Sequence, residues 1–238
     1  SMGGAACWQF AVHYAERWAA AAPGAGFSET PDFLKVFQKE TLMPTWYEKK
    51  LWHLYDCTDW AINLYHCPTV AYSGEVDRQK QAADVMAAAL EKENIHLAHL
   101  IGPGMGHKYH PDTKQEIDRR IDALAGLGRD RAPKTIHFTT WTLRYPSMHW
   151  LTVDGLEEHW ERARVDAEIK ANANSIVLTT SNVTAFTVTL PPGQRHFDIR
   201  QAVRLEINGY QTAPQHVQSD GSFRVRVQKQ GQSWAIGE

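Results

Sequence analysis

With 238 residues, 43% of them apolar and 22% charged, the chain has the composition of a globular protein, and it is longer than one typical domain. A formal net charge of −2, with no basic stripe, argues against a nucleic-acid partner. No apolar run is long enough to span a bilayer, so no membrane partner is expected.

The chain opens with Ser1-Met2-Gly3-Gly4 followed by a helical pattern of apolar residues (Ala5, Cys7, Trp8, Ala11, Val12, Ala15, Trp18) over residues 4–18. This has the form of the second half of a nucleophile elbow, G-x-S-x-G, in which a serine sits on a tight strand-to-helix turn and small neighbours let the backbone fold around it. Ser1 and Gly3 fill the serine and second-glycine positions. A Ser-Met start is equally what a tag scar leaves, so the reading depends on partners elsewhere.

Residues 19–22 are all alanine and suit a short buried strand that Pro23 and Gly24 end. Residues 27–67 read as two or three short helices, near 31–39, 46–54 and 58–64, unusually rich in aromatics. Trp46, Trp52 and Trp60 are candidates to line a substrate pocket, or else to seal the insertion against a sheet. A strand over 68–73 stops at Gly74, a helix covers 78–93, a strand runs from Ile95 to Ile101, and a glycine-rich loop with His107 leads into a helix over 112–126. Strands alternating with helices of this length predict a parallel sheet. Near residue 130 the period changes to strict alternation, as in Val165, Ala167, Ile169 and in Phe223, Val225, Val227, with turns at Asn208-Gly209 and Asp220-Gly221. The expected architecture is therefore an α/β domain over 1–130, with a helical insertion at about 27–67, followed by a small antiparallel, sandwich-like β domain over 131–238.

Two loops at the carboxyl ends of predicted strands carry titratable groups: Ser73-Gly-Glu-Val-Asp77-Arg78 and Gly104-Met-Gly-His107. Open α/β sheets bind ligands at that edge. The order Ser1, Asp77, His107 is the Ser…Asp…His order of α/β-hydrolases. The pattern suits the chemistry, because a serine hydroxyl needs a base to remove its proton and the imidazole needs a carboxylate to hold one tautomer. Each residue also has a plainer role open to it: Asp77 can cap the following helix, and His107 can bond a loop carbonyl. His96 and His99 fall on opposite faces of their strand and read as packing or surface residues. His107 and His110 are spaced to share a helical face, but a zinc site needs three or four ligands and acidic partners are not evident nearby, so no metal is expected. Cys7, Cys57 and Cys67 are odd in number and lack metal-ligand spacing, and read as small core residues.

Ser-Met-Gly-Gly opening a helix, Ser-Gly-Glu-Val-Asp-Arg after a strand, and Gly-Met-Gly-His-Lys-Tyr-His resemble α/β-hydrolases of the prolyl-oligopeptidase type. More narrowly, they resemble bacterial serine peptidases or esterases with an appended C-terminal β domain, and Trp150–Trp160 resembles part of that domain. The resemblance covers residues 1 to about 126 and implies Ser1 as nucleophile, Asp77 as orienting acid (preferred to Glu75 because it immediately precedes Arg78), His107 as general base and no cofactor. It implies an ester or peptide substrate and leaves esterase and peptidase open. Such hydrolases have several strands before the elbow, and one early loop gives a second oxyanion-hole donor; here only the backbone N–H of Met2 is expected in that role. The expectation is thus a carboxyl-terminal portion, inactive on its own, whose sheet a missing N-terminal part would complete. Relatives of this type are often exported, and the compartment stays open. The competing reading is a non-catalytic module in which the β domain docks a partner or a glycan.

Overall fold

The computed structural model describes residues 2–194 and 196–237. The chain divides into two compact units, Ser1–Arg129 and Asp130–Glu238.

The first unit contains helix α1 (Met2–His13), short helices α2 (Thr30–Phe33) and α3 (Trp46–Trp52), strand β1 (Val70–Gly74), helix α4 (Gln81–Glu91), strand β2 (Ala98–Gly102) and helix α5 (Pro111–Leu127). Strands β1 and β2 pair in parallel, with Val70 opposite Ala98 and Gly74 opposite Gly102. A parallel pair needs a crossover, and α4 is that crossover. The alanine segment runs alongside β1, but Pro23 and Gly24 do not end it as the sequence suggested. Ala21 N–H donates to Pro68 O, Val70 N–H to Ala21 O, Tyr72 N–H to Pro23 O and Ala25 N–H to Tyr72 O. One rung of a regular parallel ladder is missing, at Pro23, which has no N–H to give. The ladder is therefore reduced to two isolated parallel bridges, Ala21 with Thr69 and Gly24 with Tyr72.

Helix α1 buries Trp8, Ala11, Val12 and His13. It packs beside the 3-10 helix Cys57–His66, where the Asn63 amide donates to Val12 O at 3.0 Å and the His13 ring meets Trp60 edge-on. Helix α5 covers β1 and β2 through Ile117, Ile121 and Leu124 against Val70, Tyr72 and Leu100. Cys57 and Cys67 are buried free thiols and Cys7 is a partly buried one. Within the insertion, the start of α2 is tied down by Asp56, whose carboxylate accepts from Thr30 N–H at 2.9 Å and from the Thr30 hydroxyl. Burial, reinforced by the neighbouring carboxylates of Asp59 and Glu29, pushes the Asp56 carboxyl up to about 7 despite those bonds.

The second unit holds two five-stranded sheets. One is ordered β10 (Tyr210–Gln211), β9 (Arg204–Ile207), β7 (Ser175–Ser181), β6 (Ala163–Lys170), β3 (Thr135–Thr140). The other is ordered β12 (Ser233–Gly237), β11 (Phe223–Gln230), β8 (Val183–Leu190), β5 (Leu151–Leu156), β4 (Ser147–Met148). Val165, Ala167 and Ile169 on β6 and Phe223, Val225 and Val227 on β11 are buried, as their alternation requires. Asn208 and Gly209 both have positive φ (51° and 82°), the backbone of a tight hairpin turn joining β9 to β10. One pair departs from the antiparallel expectation: β7 and β9 are parallel. The long connection after Leu190 allows it, because a parallel neighbour cannot be reached by a hairpin. Asn174 anchors that return, donating to Gln201 O at 3.0 Å and accepting from Asp198 N–H at 2.9 Å.

A raised folded-state pKa on a carboxyl means that the folded chain holds a proton the unfolded chain gives up, so stability falls as pH rises from about 4 through about 7. The thermal midpoint is therefore expected to rise when pH is lowered from 8 to 6, and Asp56→Asn should flatten that slope. Equal slopes for the two proteins in a melting series would refute this role for Asp56.

Candidate active site

The loops that follow β1 and β2 are bound to each other before any catalytic group is considered. Glu75 N–H and Met105 N–H both donate to Gly102 O, at 3.0 and 3.2 Å, and Val76 N–H donates to Met105 O at 3.0 Å. Contact this close requires glycine at position 74: a Cβ there would lie 2.1 Å from Gly106 O and 2.3 Å from Met105 O. Glu75, the alternative acid, accepts from Gly104 N–H at 2.7 Å and so helps to fasten the second loop to the first.

Asp77 and His107 meet across this junction. His107 Nδ1 lies 2.8 Å from Asp77 Oδ2. The carboxylate side chain is only 7% exposed, whereas the imidazole is 50% exposed. The other carboxylate oxygen is engaged as well: Oδ1 accepts from Gln79 N–H at 2.9 Å and caps the 3-10 turn Arg78–Lys80, which precedes α4. A carboxylate is an acceptor only, so the bond places the neutral imidazole's proton on Nδ1 and leaves the Nε2 lone pair available as a base.

Tyr72 holds the imidazole's loop from below. Its hydroxyl donates to Lys108 O at 2.7 Å and accepts from His110 N–H at 2.9 Å, while its ring stacks on Tyr109 at 4.5 Å. His110 stands at the N-cap of α5 and His107 lies in the preceding loop, so the two do not share a helical face as the spacing suggested. Among the described residues, no group of three His, Cys, Asp or Glu side chains is arranged to hold a metal.

Beside the pair, a cleft of about 230 Å³ is lined by Asp77, His107, Lys108, Tyr72 and Tyr109 and by Gly3 and Gly4 of α1. The first turn of α1 thus reaches the same cleft as the imidazole. Its leading N–H groups have no intrahelical partner, and the helix dipole makes that end positive. Gly4 is needed for this approach, since a Cβ would fall 2.2 Å from Gly24 O. Ser1 lies outside the described residues. Met2, the expected oxyanion donor, is the first residue of α1.

The tryptophan candidates separate. Trp60 is fully buried, with its indole N–H donating to His53 O at 2.7 Å, so it belongs to the core and the pocket assignment is corrected. Trp46 is 74% exposed and Trp52 partly buried, and neither lines the cavity that the insertion does form. That cavity, about 610 Å³, is walled by Phe27, Phe33, Leu34 and Tyr55, with Met2 and Ala5 of α1 completing it. Phe27 and Phe33 meet edge-on at 4.7 Å, and Phe27 packs against Tyr55 at 5.2 Å. Sequence reasoning missed these residues because aromatics throughout the insertion look alike until one face is covered.

A serine–histidine pair elsewhere in the unit has a different character from Asp77 and His107. His99 Nε2 lies 3.0 Å from Ser73 Oγ, with burial holding the imidazole pKa below its usual value. Ser73 is completely buried on β1, where no substrate carbonyl can reach it. His96, by contrast, is exposed and bonds Glu91 at 2.8 Å.

No protein-family model matches the chain, and no curated protein does. Among solved structures it is similar to an S-formylglutathione hydrolase from Staphylococcus aureus, with 20% identity and a TM-score of 0.36. The match covers 52% of this chain and 51% of that one, so the chain spans about half of that structure's length. At that TM-score the likeness decides neither family nor activity.

Gly74→Ala should push the second loop away from β1. We expect a loss of about 1–3 kcal/mol of stability, the usual range for overpacking. The NMR signal of a hydrogen-bonded His107 Nδ1–H, expected in the parent protein from the 2.8 Å contact, should disappear; its persistence would show that the loops are held by something else.

Proposed function

We propose that the chain is the base-bearing, carboxyl-terminal part of a serine hydrolase of the α/β-hydrolase type, acting on esters or peptide bonds through an acyl-enzyme. The observation that carries the reading is the Asp77–His107 hydrogen bond, made by a buried carboxylate to a half-exposed imidazole on the rim of a cleft that the first turn of α1 shares.

In the proposed reaction His107 Nε2 takes the proton of the Ser1 hydroxyl as Oγ adds to the substrate carbonyl. The negative oxygen that forms is received by the Met2 N–H at the positive end of α1. Collapse expels the alcohol or amine, which receives the proton from Nε2, and leaves an acyl-serine. Water, deprotonated by the same nitrogen, then releases the acid and restores the hydroxyl. Asp77 keeps the ring in the Nδ1–H tautomer and stabilises the imidazolium between steps. No step requires a cofactor.

The largely apolar cavity of Phe27, Phe33, Leu34 and Tyr55 would take an aliphatic or aromatic group of moderate size on the acyl side of either an ester or a peptide bond. A prolyl-oligopeptidase-like peptidase is the narrower alternative within the same chemistry. We further propose that one oxyanion donor and the neighbouring strands come from a preceding segment, and a missing donor costs on the order of 10²–10³ in rate.

The test is slow hydrolysis of p-nitrophenyl butyrate together with labelling by a fluorophosphonate probe. Ser1→Ala should abolish labelling, and His107→Ala should lower the rate by about 10²–10⁴-fold, the usual contribution of a general base. A folded chain that neither labels nor turns over the ester would favour the non-catalytic module, and labelling and turnover that ignore both substitutions would refute the roles given to Ser1 and His107.

A further inference from the structure

Residues 107–110, which carry the imidazole, have little regular structure of their own. They lie between the end of β2 at Gly102 and the start of α5 at Pro111. Lys108 N–H donates to Gly106 O at 2.8 Å, a bond inside the loop, and His110 O accepts from Lys114 N–H at 2.8 Å, which ties the far end to α5. Neither bond fixes the loop against the sheet.

That task falls to one side chain. Tyr72 is buried on β1, opposite Leu100 on β2. The period of two along a strand puts Gly102 on the same face as Leu100. The phenol runs toward Gly102, where a Cβ would lie 2.2 Å from the hydroxyl and 3.0 Å from His110 Cβ. Past that glycine the hydroxyl reaches Lys108 O and His110 N–H, and among the described residues neither backbone group has another hydrogen-bond partner. One oxygen thus grips the loop on both sides of Tyr109. The Tyr109 ring lies on Tyr72, and its hydroxyl sits where a Cβ at Gly24 would stand only 2.5 Å away.

Lys108 and Tyr109 are exposed, so water can replace much of what the hydroxyl gives their backbone, and the two bonds contribute little to stability. What they fix is position. His107 immediately precedes Lys108, and its Nδ1 must stay within reach of Asp77 Oδ2 for Nε2 to serve as a base. A misplacement of about 1 Å can cost about 10²-fold in rate. We propose that Tyr72 is a positioning residue for the base, and that its hydroxyl, admitted by the bare Cα of Gly102, sets where His107 stands. The consequence for rate rests on the hydrolase reading, whereas the consequence for the Asp77–His107 bond does not.

The experiment removes the hydroxyl and keeps the ring. In the full chain, Tyr72→Phe should lower kcat for p-nitrophenyl butyrate about 10–100-fold with KM changed by less than about twofold, and should broaden the NMR signal of His107 Nδ1–H. Gly102→Ala, which displaces the hydroxyl, should do the same. The double variant Tyr72→Phe/Gly102→Ala should be little worse than either alone, because both changes act on one anchor. Ile117→Val thins the packing against Tyr72 and controls for general loosening, so it should lower stability while kcat and the signal stay as in the parent. An unchanged kcat and signal in Tyr72→Phe, or an equal fall in Ile117→Val, overturns the positioning role and leaves the hydrolase reading standing. A parent chain without turnover, whose Nδ1–H signal is nevertheless lost in Tyr72→Phe, overturns the hydrolase reading and supports the positioning role.

Discussion

The candidate site depends on one close contact, the approach of the Met105–Gly106 backbone to Gly74 at the end of β1. Parallel pairing brings the ends of β1 and β2 side by side, and a side chain larger than hydrogen at position 74 would hold the following loops apart. Two backbone hydrogen bonds, from Glu75 N–H to Gly102 O and from Val76 N–H to Met105 O, and the Glu75 carboxylate then fasten the loops together. Only with the loops in this register does a carboxylate on one come within hydrogen-bond distance of an imidazole on the other. The geometry of the pair is a property of rigid strand ends, which locate groups more accurately than free loops can.

Asp77 shows how one side chain serves two demands that compete on paper. A carboxylate has two oxygens, each with two lone pairs, so capping a turn and orienting an imidazole need not exclude one another. Capping through Oδ1 fixes the side-chain rotamer, and that is what aims Oδ2 at His107. The structural bond therefore prepares the functional one, and removing either is expected to disturb both. Ser73 and His99 offer a contrast: another histidine, hydrogen-bonded to a hydroxyl at 3.0 Å, forms a buried strut, since burial and not pairing decides whether a substrate can enter.

The insertion divides its aromatics among three environments. Trp60 joins the core beside His13, Phe27 with Phe33 and Tyr55 encloses a cavity, and Trp46 faces outward. These residues have similar hydrophobicity and similar local sequence, and differ in which neighbours the chain brings to them. Asp56, buried and acidic, holds the entry to this region in place at the cost of keeping a carboxyl out of water.

By itself the sequence determined the alternation of strand and helix before residue 130, the two-residue period after it, and the hairpin at Asn208-Gly209, because these follow from local periodicity and backbone preference. It also singled out Asp77 and His107, since both fall just beyond apolar runs that end in glycine. Tertiary structure alone decided that Pro23 removes one rung of the ladder and leaves the strand alignment intact, and that β9 enters its sheet in parallel. It also decided which tryptophan is core and which is surface. Those outcomes depend on what lies across from a residue in space, and hydrogen-bond partners and burial are set by residues far away along the chain.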